Sequence, residues 1–433
     1  MGLIRLKILL IVPWEKNHKR YRGITSRLFS YSQLTLATLA TLVPKELDAD
    51  ITICDEMVDD ADKYLNNNYD IVGISVIASE SGRAYQLAKK YKEKGSYIIL
   101  GGHHVSMNPD EASLHGETIV VGAGDLAWPQ FLYDYKNNHP QKKYEINITG
   151  KDILHVNREY IIKDRYLPVP TLIANRGCGN KCGFCAISRM WDSMPRPIDA
   201  VIDEIKRLNS KKIIFFDPNF FYDRDYSLEL MSELEKLNIG WAGAGTIVTG
   251  FDEELLTAAE KSGCGGLLTG LESLQSKSLQ GVDKDFNRPE KYRESISNFK
   301  SHGININGCF VLGMDGDTEE TLLALPEKID YLGLNLARFS ILTPAPGSPL
   351  FKKLDSEGRI LTRDWSQYTQ TKAVFQPKNM SPERLEEIFE EVWKRTYSWK
   401  RVFKRGIAGH NDFADTLQLL GANIGFKFIG KDS

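Results

Sequence analysis

Cys178, Cys182 and Cys185 lie in the run Arg176-Gly177-Cys178-Gly179-Asn180-Lys181-Cys182-Gly183-Phe184-Cys185, so three of the six cysteines fall within eight residues, spaced CxxxCxxC. Three thiolates on one short loop suit a metal or cluster that takes three protein ligands and keeps one position open. A structural zinc would want a fourth ligand close by, and no His or Cys follows Cys185 for fifty residues. A ferredoxin run would read CxxCxxC with a further cysteine. What remains is a 4Fe–4S cluster with three irons tied down and the fourth free for a small molecule. Incidental clustering is the competing explanation, but free cysteines are uncommon and seldom group this way. Cys54, Cys264 and Cys309 stand alone and read as structural.

The elements that must position this loop are regular. From Thr171 onward, strand-like segments Leu172–Asn175, Lys212–Asp217, Gly240–Thr246, Gly265–Leu271, Asn305–Leu312 and Ala337–Leu342 alternate with helical ones. The helical segments are Ile198–Leu208, Ser227–Leu237, Asp252–Lys261, Pro289–His302 and Thr318–Leu332. Val201, Ile202, Ile205 and Leu208 give the first helix an apolar face, and Asp199, Ser227 and Asp252 are the expected caps of the first three. Strand–helix repeats with right-handed crossovers predict a six-stranded partial (β/α) barrel over residues 171–349. Reactive groups of such barrels sit beyond the carboxyl ends of the strands. The cysteine loop follows the first strand directly, which puts it at that mouth.

Residues 1–137 alternate in the same way and predict a Rossmann-type, doubly wound parallel sheet. Its strands are Ile8–Val12, Asp50–Cys54, Ile71–Ile77, Tyr97–Leu100 and Thr118–Val121, with helices at Leu34–Ala40, Gly82–Glu93 and Trp128–Tyr135. Strand ends carry Ser75-Val76, Gly101-Gly102-His103-His104 and Gly122-Ala123-Gly124-Asp125. Paired glycines there let backbone approach a large planar ligand with no Cβ in the way. Residues 138–170 are polar and flanked by Pro, with an isolated strand signal at Tyr160–Ile162, and read as a surface linker. Residues 350–433 read as a helical extension capping the barrel, with a strong helix start at Ser381-Pro382.

The chain has 433 residues, 42% hydrophobic and 26% charged, with a net charge of −2, which leaves no electrostatic case for nucleic acid as partner. The basic amino end, Met1 to Lys7, precedes an apolar run too short for a signal-peptide core or a membrane span. Cysteine usage fits cytosolic metal chemistry rather than disulfides, so a cytoplasmic protein is expected. Lys and Arg interleave with aromatics from Trp393 to Arg405, a pattern open to membrane association. The preferred reading there is a helix that packs its aromatics on the barrel and solvates its charges.

The cysteine spacing, with Phe184 just before the last thiol, resembles the signature of the radical S-adenosylmethionine (SAM) enzymes. Residues 1–137 resemble the cobalamin-binding domain that precedes the barrel in many of them, through Asp70-Ile71-Val72-Gly73-Ile74-Ser75, Leu100-Gly101-Gly102-His103-His104 and Val121-Gly122-Ala123-Gly124-Asp125. Two departures stand out. The Asp-x-His-x-x-Gly motif of other cobalamin proteins is absent, as it usually is in radical SAM members, and Gly122-Ala123-Gly124-Asp125 replaces the family's common Gly-Glu-Gly-Glu. The resemblance, to class B radical SAM methyltransferases, implies SAM contacts at Phe184, Asp217, Glu272, Val311, Gly313 and Leu342. It implies cobalamin contacts at Ser75, Val76, Gly101, Gly102, His103 and Gly122. His103 and His104 are the natural candidates for a cobalt ligand by side-chain chemistry, the preferred reading being loop residues that hydrogen-bond backbone or the corrin's amide rim.

What the resemblance implies for function is a cobalamin-dependent methyltransferase using a 4Fe–4S cluster and SAM. A 5′-deoxyadenosyl radical would activate an unactivated carbon of a small molecule, and methylcobalamin would deliver the methyl group. The implied partners are that substrate and a one-electron donor such as flavodoxin or ferredoxin. One alternative is a radical SAM enzyme of another type (a cyclase, ring rearrangement or oxidation) with cobalamin structural or absent. Another is an iron–sulfur electron carrier or sensor that cleaves no SAM. Formation of 5′-deoxyadenosine and S-adenosylhomocysteine discriminates among the three.

Overall fold

A computed structural model describes residues 5–16, 18, 30–161, 163–407 and 413–429. The amino-terminal stretch Met1–Ile4 and Ile162 of the Tyr160–Ile162 strand signal lie outside the described residues. Packing divides the chain into two compact units. One comprises residues 1–177, 186–210 and 364–366; the other comprises residues 178–185, 211–363 and 367–433.

The first sheet contains β1 (Leu6–Val12), β2 (Ala49–Asp55), β3 (Ile71–Ser75), β4 (Tyr97–Gly101), β5 (Thr118–Val121) and β6 (Lys143–Glu145), in the order β2-β1-β3-β4-β5-β6. All of its pairings are parallel. Alternation along β1 explains why both faces are covered. Leu9 and Ile11 join a core closed by Ala84, Leu87 and Tyr91 of helix Ser81–Glu93. Ile8 and Leu10 point into a second core with Leu36, Ala40, Trp128 and Phe131. A strand buried on both faces needs the continuous apolar run read in the sequence. β6 was not foreseen: Lys143–Glu145 adds an edge strand where a linker was expected, with only Tyr144 buried, too short a pattern to read as a strand.

The second sheet has the order β14-β13-β12-β11-β10-β7. Its members are β7 (Thr171–Leu172), β10 (Lys212–Phe215), β11 (Gly240–Gly245), β12 (Cys264–Glu272), β13 (Asn305–Leu312) and β14 (Leu336–Ile341). The pairings from β10 to β14 are parallel, and strand order follows chain order, as expected of a partial barrel. The expected first strand, Leu172–Asn175, is split. Arg196 takes its backbone: Arg196 Nη1 donates to Ile173 O at 2.7 Å and its N–H to Ala174 O at 2.8 Å. The chain then re-pairs as a small antiparallel ladder of β8 (Asn175–Arg176) with β9 (Met194–Pro195).

Asp252 caps helix Glu253–Lys261 as expected, accepting from the Leu255 N–H at 3.1 Å. Ser227 does not cap. Helix Arg224–Glu235 starts earlier, capped by Asp223, and the Ser227 hydroxyl donates to Phe220 O instead. Asp199 lies inside the first turn of helix Ile198–Leu208, after Pro197, and is not its cap. Ser381 caps helix Pro382–Thr396, whose Trp393 and Tyr397 are buried, and Tyr397 Oη donates to Ala337 O at 2.6 Å. Trp399 and Phe403 in the following helix depart from the expected packing and remain exposed.

Candidate functional site

In the second unit the cysteine loop is pinned by its own glycines. The Gly183 N–H donates to Val282 O at 2.8 Å, and the Leu350 N–H donates to Gly183 O at 3.2 Å. A Cβ on Gly183 would stand 3.1 Å from Asp283 Oδ2, and one on Gly179 would collide with the Tyr222 ring. Cys178 and Cys182 are buried and Cys185 is half-buried, and none forms a disulfide. Burial pushes the Cys182 thiol up to about 11, with the Lys284 ammonium pulling the other way and Cys185, Glu272 and Cys178 raising it further. Among the described residues no three His, Cys, Asp or Glu groups could hold a single metal ion. A cubane asks for a different spread, because each thiolate takes a separate iron. Three soft donors within eight residues of one glycine-pinned loop, beside a cation, fit such a cluster.

Beside the loop lies a residue pair only half foreseen. Glu272 ends β12, is 8% exposed, and has a left-handed backbone with φ of 65°. The β12–β13 ladder passes from Gly270↔Cys309 to Glu272↔Phe310, so Leu271 is skipped and the strand bulges there. The peptide oxygens so displaced are satisfied: Asn287 Nδ2 donates to Gly270 O at 2.9 Å and Tyr292 Oη to Leu271 O at 2.8 Å. Lys284, buried, places its ammonium 2.6 Å from Glu272 Oε1. Burial opposes the charge on Lys284, but the Glu272 carboxylate outweighs it and raises the lysine pKa. Gly270 is required because a Cβ would lie 2.2 Å from Glu272 Oε1 and 2.7 Å from Lys284 Nζ. Nothing in the sequence marked Lys284, because a lysine twelve residues downstream of a glutamate carries no spacing signature.

The other expected SAM contacts are distributed over neighbouring strand ends. Asp217 is buried just beyond β10, and Phe184 is half-buried in the loop itself. Val311 shares a small cleft with Glu272, Ser273, Gln275 and Asp317. Leu342, just past β14, donates its N–H to Leu312 O at 2.8 Å. Gly313 has φ of 96° and, with Met314, donates its N–H to Asp317 Oδ2 at 3.0 Å. Ser278 Oγ donates to the other Asp317 oxygen at 2.9 Å. Asp317, unforeseen, is thus a buried carboxylate that shapes the turn after β13; burial raises its pKa to about 6 against those hydrogen bonds.

In the first unit, Ser75, Val76, Gly101, Gly102, His103 and Gly122 all follow the carboxyl ends of β3, β4 and β5. The Val76 N–H donates to Gly101 O at 2.8 Å and the His104 N–H to Val76 O at 3.0 Å, which ties two loops together. Gly102 has φ of 100°, and a Cβ there would lie 2.7 Å from both Val76 N and Val76 O. Gly122, with φ of 83°, has no atom within 4 Å of its Cβ position. Gly102 thus lets the loops after β3 and β4 pack together, and Gly122 leaves bare backbone at this edge, the kind a broad ring system can approach, so the edge fits a corrin.

The two histidines have separate surroundings. His104 is buried, with Nε2 3.1 Å from Tyr85 Oη and 3.3 Å from Glu111 Oε1. His103 stands edge-on to Trp191, ring centroids 5.5 Å apart, and burial lowers its pKa. Arg176, two residues before Cys178, forms a bidentate pair with buried Asp125 and lies over the Trp191 ring. Asp125 is the acidic residue of the altered Gly-Ala-Gly-Asp segment, and its partner could not be read from the sequence.

Comparison with known proteins bears on the fold and the class of chemistry. A profile described as the radical SAM superfamily matches residues 172–329. The chain is 29% identical over 387 residues to bacteriochlorophyllide d C-12(1)-methyltransferase of Chlorobaculum tepidum, covering 86% of this chain and 84% of that protein. It is 27% identical to the C-8(2)-methyltransferase of the same organism, covering 86% and 87%. In fold it is similar to the radical SAM methyltransferase TsrM from Kitasatospora setae, solved with cobalamin and a [4Fe-4S] cluster bound. That match has a TM-score of 0.69 at 13% identity, over 99% of this chain and 100% of the other. With the thiol-bearing loop at the head of a parallel partial barrel, residues 172–329 form a domain of the radical SAM superfamily, and a doubly wound parallel sheet precedes it in the chain.

Proposed function

We propose that this enzyme is a cobalamin-dependent C-methyltransferase acting on an unactivated carbon of a small molecule. The observation that carries the reading is the presence, in one chain, of a largely buried three-thiol loop beside the Lys284–Glu272 pair and a bare-backbone edge at Gly122. Cys178, Cys182 and Cys185 would hold the 4Fe–4S cluster. Lys284 and Glu272 offer opposite charges to the carboxylate and ammonium of SAM. Asp217, Phe184, Val311, Gly313 and Leu342 complete the SAM site. Ser75, Val76, Gly101, Gly102, His103 and Gly122 would seat the corrin. When bound, the cluster supplies the electron that opens SAM, and cobalamin carries the methyl group. The protein contributes orientation, burial of the charged groups and exclusion of water.

The electron is assigned to an external one-electron donor such as flavodoxin or ferredoxin. A cytoplasmic setting suits six cysteines without a disulfide among them. The relatives named as methyltransferases support methyl transfer over the cyclase, rearrangement and oxidation alternatives. Anaerobic reconstitution with iron, sulfide and hydroxocobalamin tests the proposal. The protein should retain a corrinoid through desalting and form S-adenosylhomocysteine together with 5′-deoxyadenosine. Failure to retain any corrinoid would overturn the cobalamin assignment.

A further inference from the structure

Helix Trp399–Ile407, WKRVFKRGI, carries four basic residues and no acidic one, in a chain whose net charge is −2. Its inward side is fully engaged. Val402 is buried, and Arg405 is buried with Nη2 donating to Thr396 O at 2.6 Å and Nε to Asn423 Oδ1 at 3.0 Å. Arg401 pairs with Glu327 at 2.7 Å and Asp330 at 2.8 Å. Two of the four cations are thereby used within the fold.

The outward side is different. Trp399 and Phe403, one turn apart, are each 47% exposed and stack with centroids 5.8 Å apart. Phe428, 61% exposed, meets Trp399 edge-on at 6.1 Å from helix Phe413–Ile429. Lys400 and Lys404 follow these rings by one residue each, are exposed, and form no ion pair among the described residues. Lys427 holds its ammonium 4.9 Å over the Trp399 ring. Single exposed aromatics are ordinary; three in mutual contact, edged by lysines, mark an interaction surface.

We infer that the face formed by Trp399, Lys400, Phe403, Lys404 and Phe428 docks this protein on an anionic lipid surface. An apolar protein groove would accept the rings but strand the interleaved ammonium groups, and an acidic protein patch would accept the lysines but leave the rings in water. A bilayer interface accepts both at once, rings at the acyl boundary and ammonium groups among anionic headgroups. No helix among the described residues is long and apolar enough to cross a membrane, so the helix would lie on the surface.

Co-sedimentation of the full-length protein with phosphatidylcholine vesicles, with and without phosphatidylglycerol, tests the inference. Binding should require phosphatidylglycerol and weaken as salt is added. Each lysine near such a surface is worth about fivefold in partitioning, so Lys400→Ala/Lys404→Ala should lose about 25-fold. Trp399→Ser/Phe403→Ser should lose binding without losing the fold, because both side chains are exposed. The exposed pair Lys236→Ala/Lys291→Ala should bind as the native protein does. Three outcomes would overturn the inference: no binding to anionic vesicles, equal loss in the Lys236/Lys291 variant, or a dimer that Trp399→Ser dissolves, which would assign the face to a second copy of the chain.

Discussion

Lys284 Nζ sits 2.6 Å from Glu272 Oε1, with both side chains nearly dry and Glu272 held at φ of 65°. A left-handed non-glycine residue costs roughly 1–3 kcal/mol, a strain that persists where the surroundings over-determine it and that concentrates at functional sites. Here the bulge in β12, the Asn287 and Tyr292 hydrogen bonds and the bare Gly270 all hold it. The pair adjoins the cysteine loop, since Val282, two residues before Lys284, accepts from the Gly183 N–H at 2.8 Å.

Breaking this pair from one side strands a buried charge. Lys284→Ala should lower stability by about 3–5 kcal/mol and weaken SAM binding. Lys284→Met combined with Glu272→Leu should regain most of the stability and none of the SAM affinity. Chemical denaturation and equilibrium SAM binding on the native protein and these two variants separate the two effects.

Asp317 makes stability pH-dependent in a direction opposite to most paired carboxylates. Its folded pKa, about 6, lies above the ordinary carboxyl value of 3.8, so the folded state binds its proton more tightly than the unfolded chain does. Its contribution to stability is therefore present below pH about 4 and is lost as pH rises through about 6, by about 3 kcal/mol. Asp317→Asn keeps an oxygen for the Gly313 and Met314 N–H groups and removes that dependence. The stability difference, Asn minus Asp, should rise across this window in denaturation curves. Asp317→Ala also removes the titrating group but leaves two backbone donors unmet, so it should cost about 3 kcal/mol near pH 4, a deficit that shrinks as the native protein loses stability through pH about 6.

Gly102 tests the corrin edge separately from the cluster. An alanine there faces a forbidden φ and a Cβ 2.7 Å from the Val76 backbone, so the two loops must separate. Gly102→Ala should reduce corrinoid retention at least tenfold, the effect of about 1.4 kcal/mol, while iron content stays at the native level. Absorbance after desalting and iron analysis on one sample check both halves.

Much of the fold was legible because strands buried on both faces require apolar runs such as Ile8–Val12, and because Asp252 and Ser381 are caps that act locally. The first barrel strand differs from its expected span because Arg196, 23 residues beyond Ile173, claims the backbone of Ile173 and Ala174. The cysteines were legible from spacing alone. Lys284, Asp317 and the Arg176–Asp125 pair were not, because each gains its meaning from a partner that only folding supplies. Adjacent His103 and His104 were indistinguishable in sequence; the structure turns one toward Glu111 and sets the other against Trp191.

The central claim is that Cys178, Cys182 and Cys185 carry a cluster that cleaves SAM. Anaerobically reconstituted native protein and the Cys182→Ala variant should be compared for 5′-deoxyadenosine formed under a strong reductant. The account predicts 5′-deoxyadenosine from the native protein and none above background from the variant, with native-like circular dichroism in both. A variant that still cleaves SAM would contradict it.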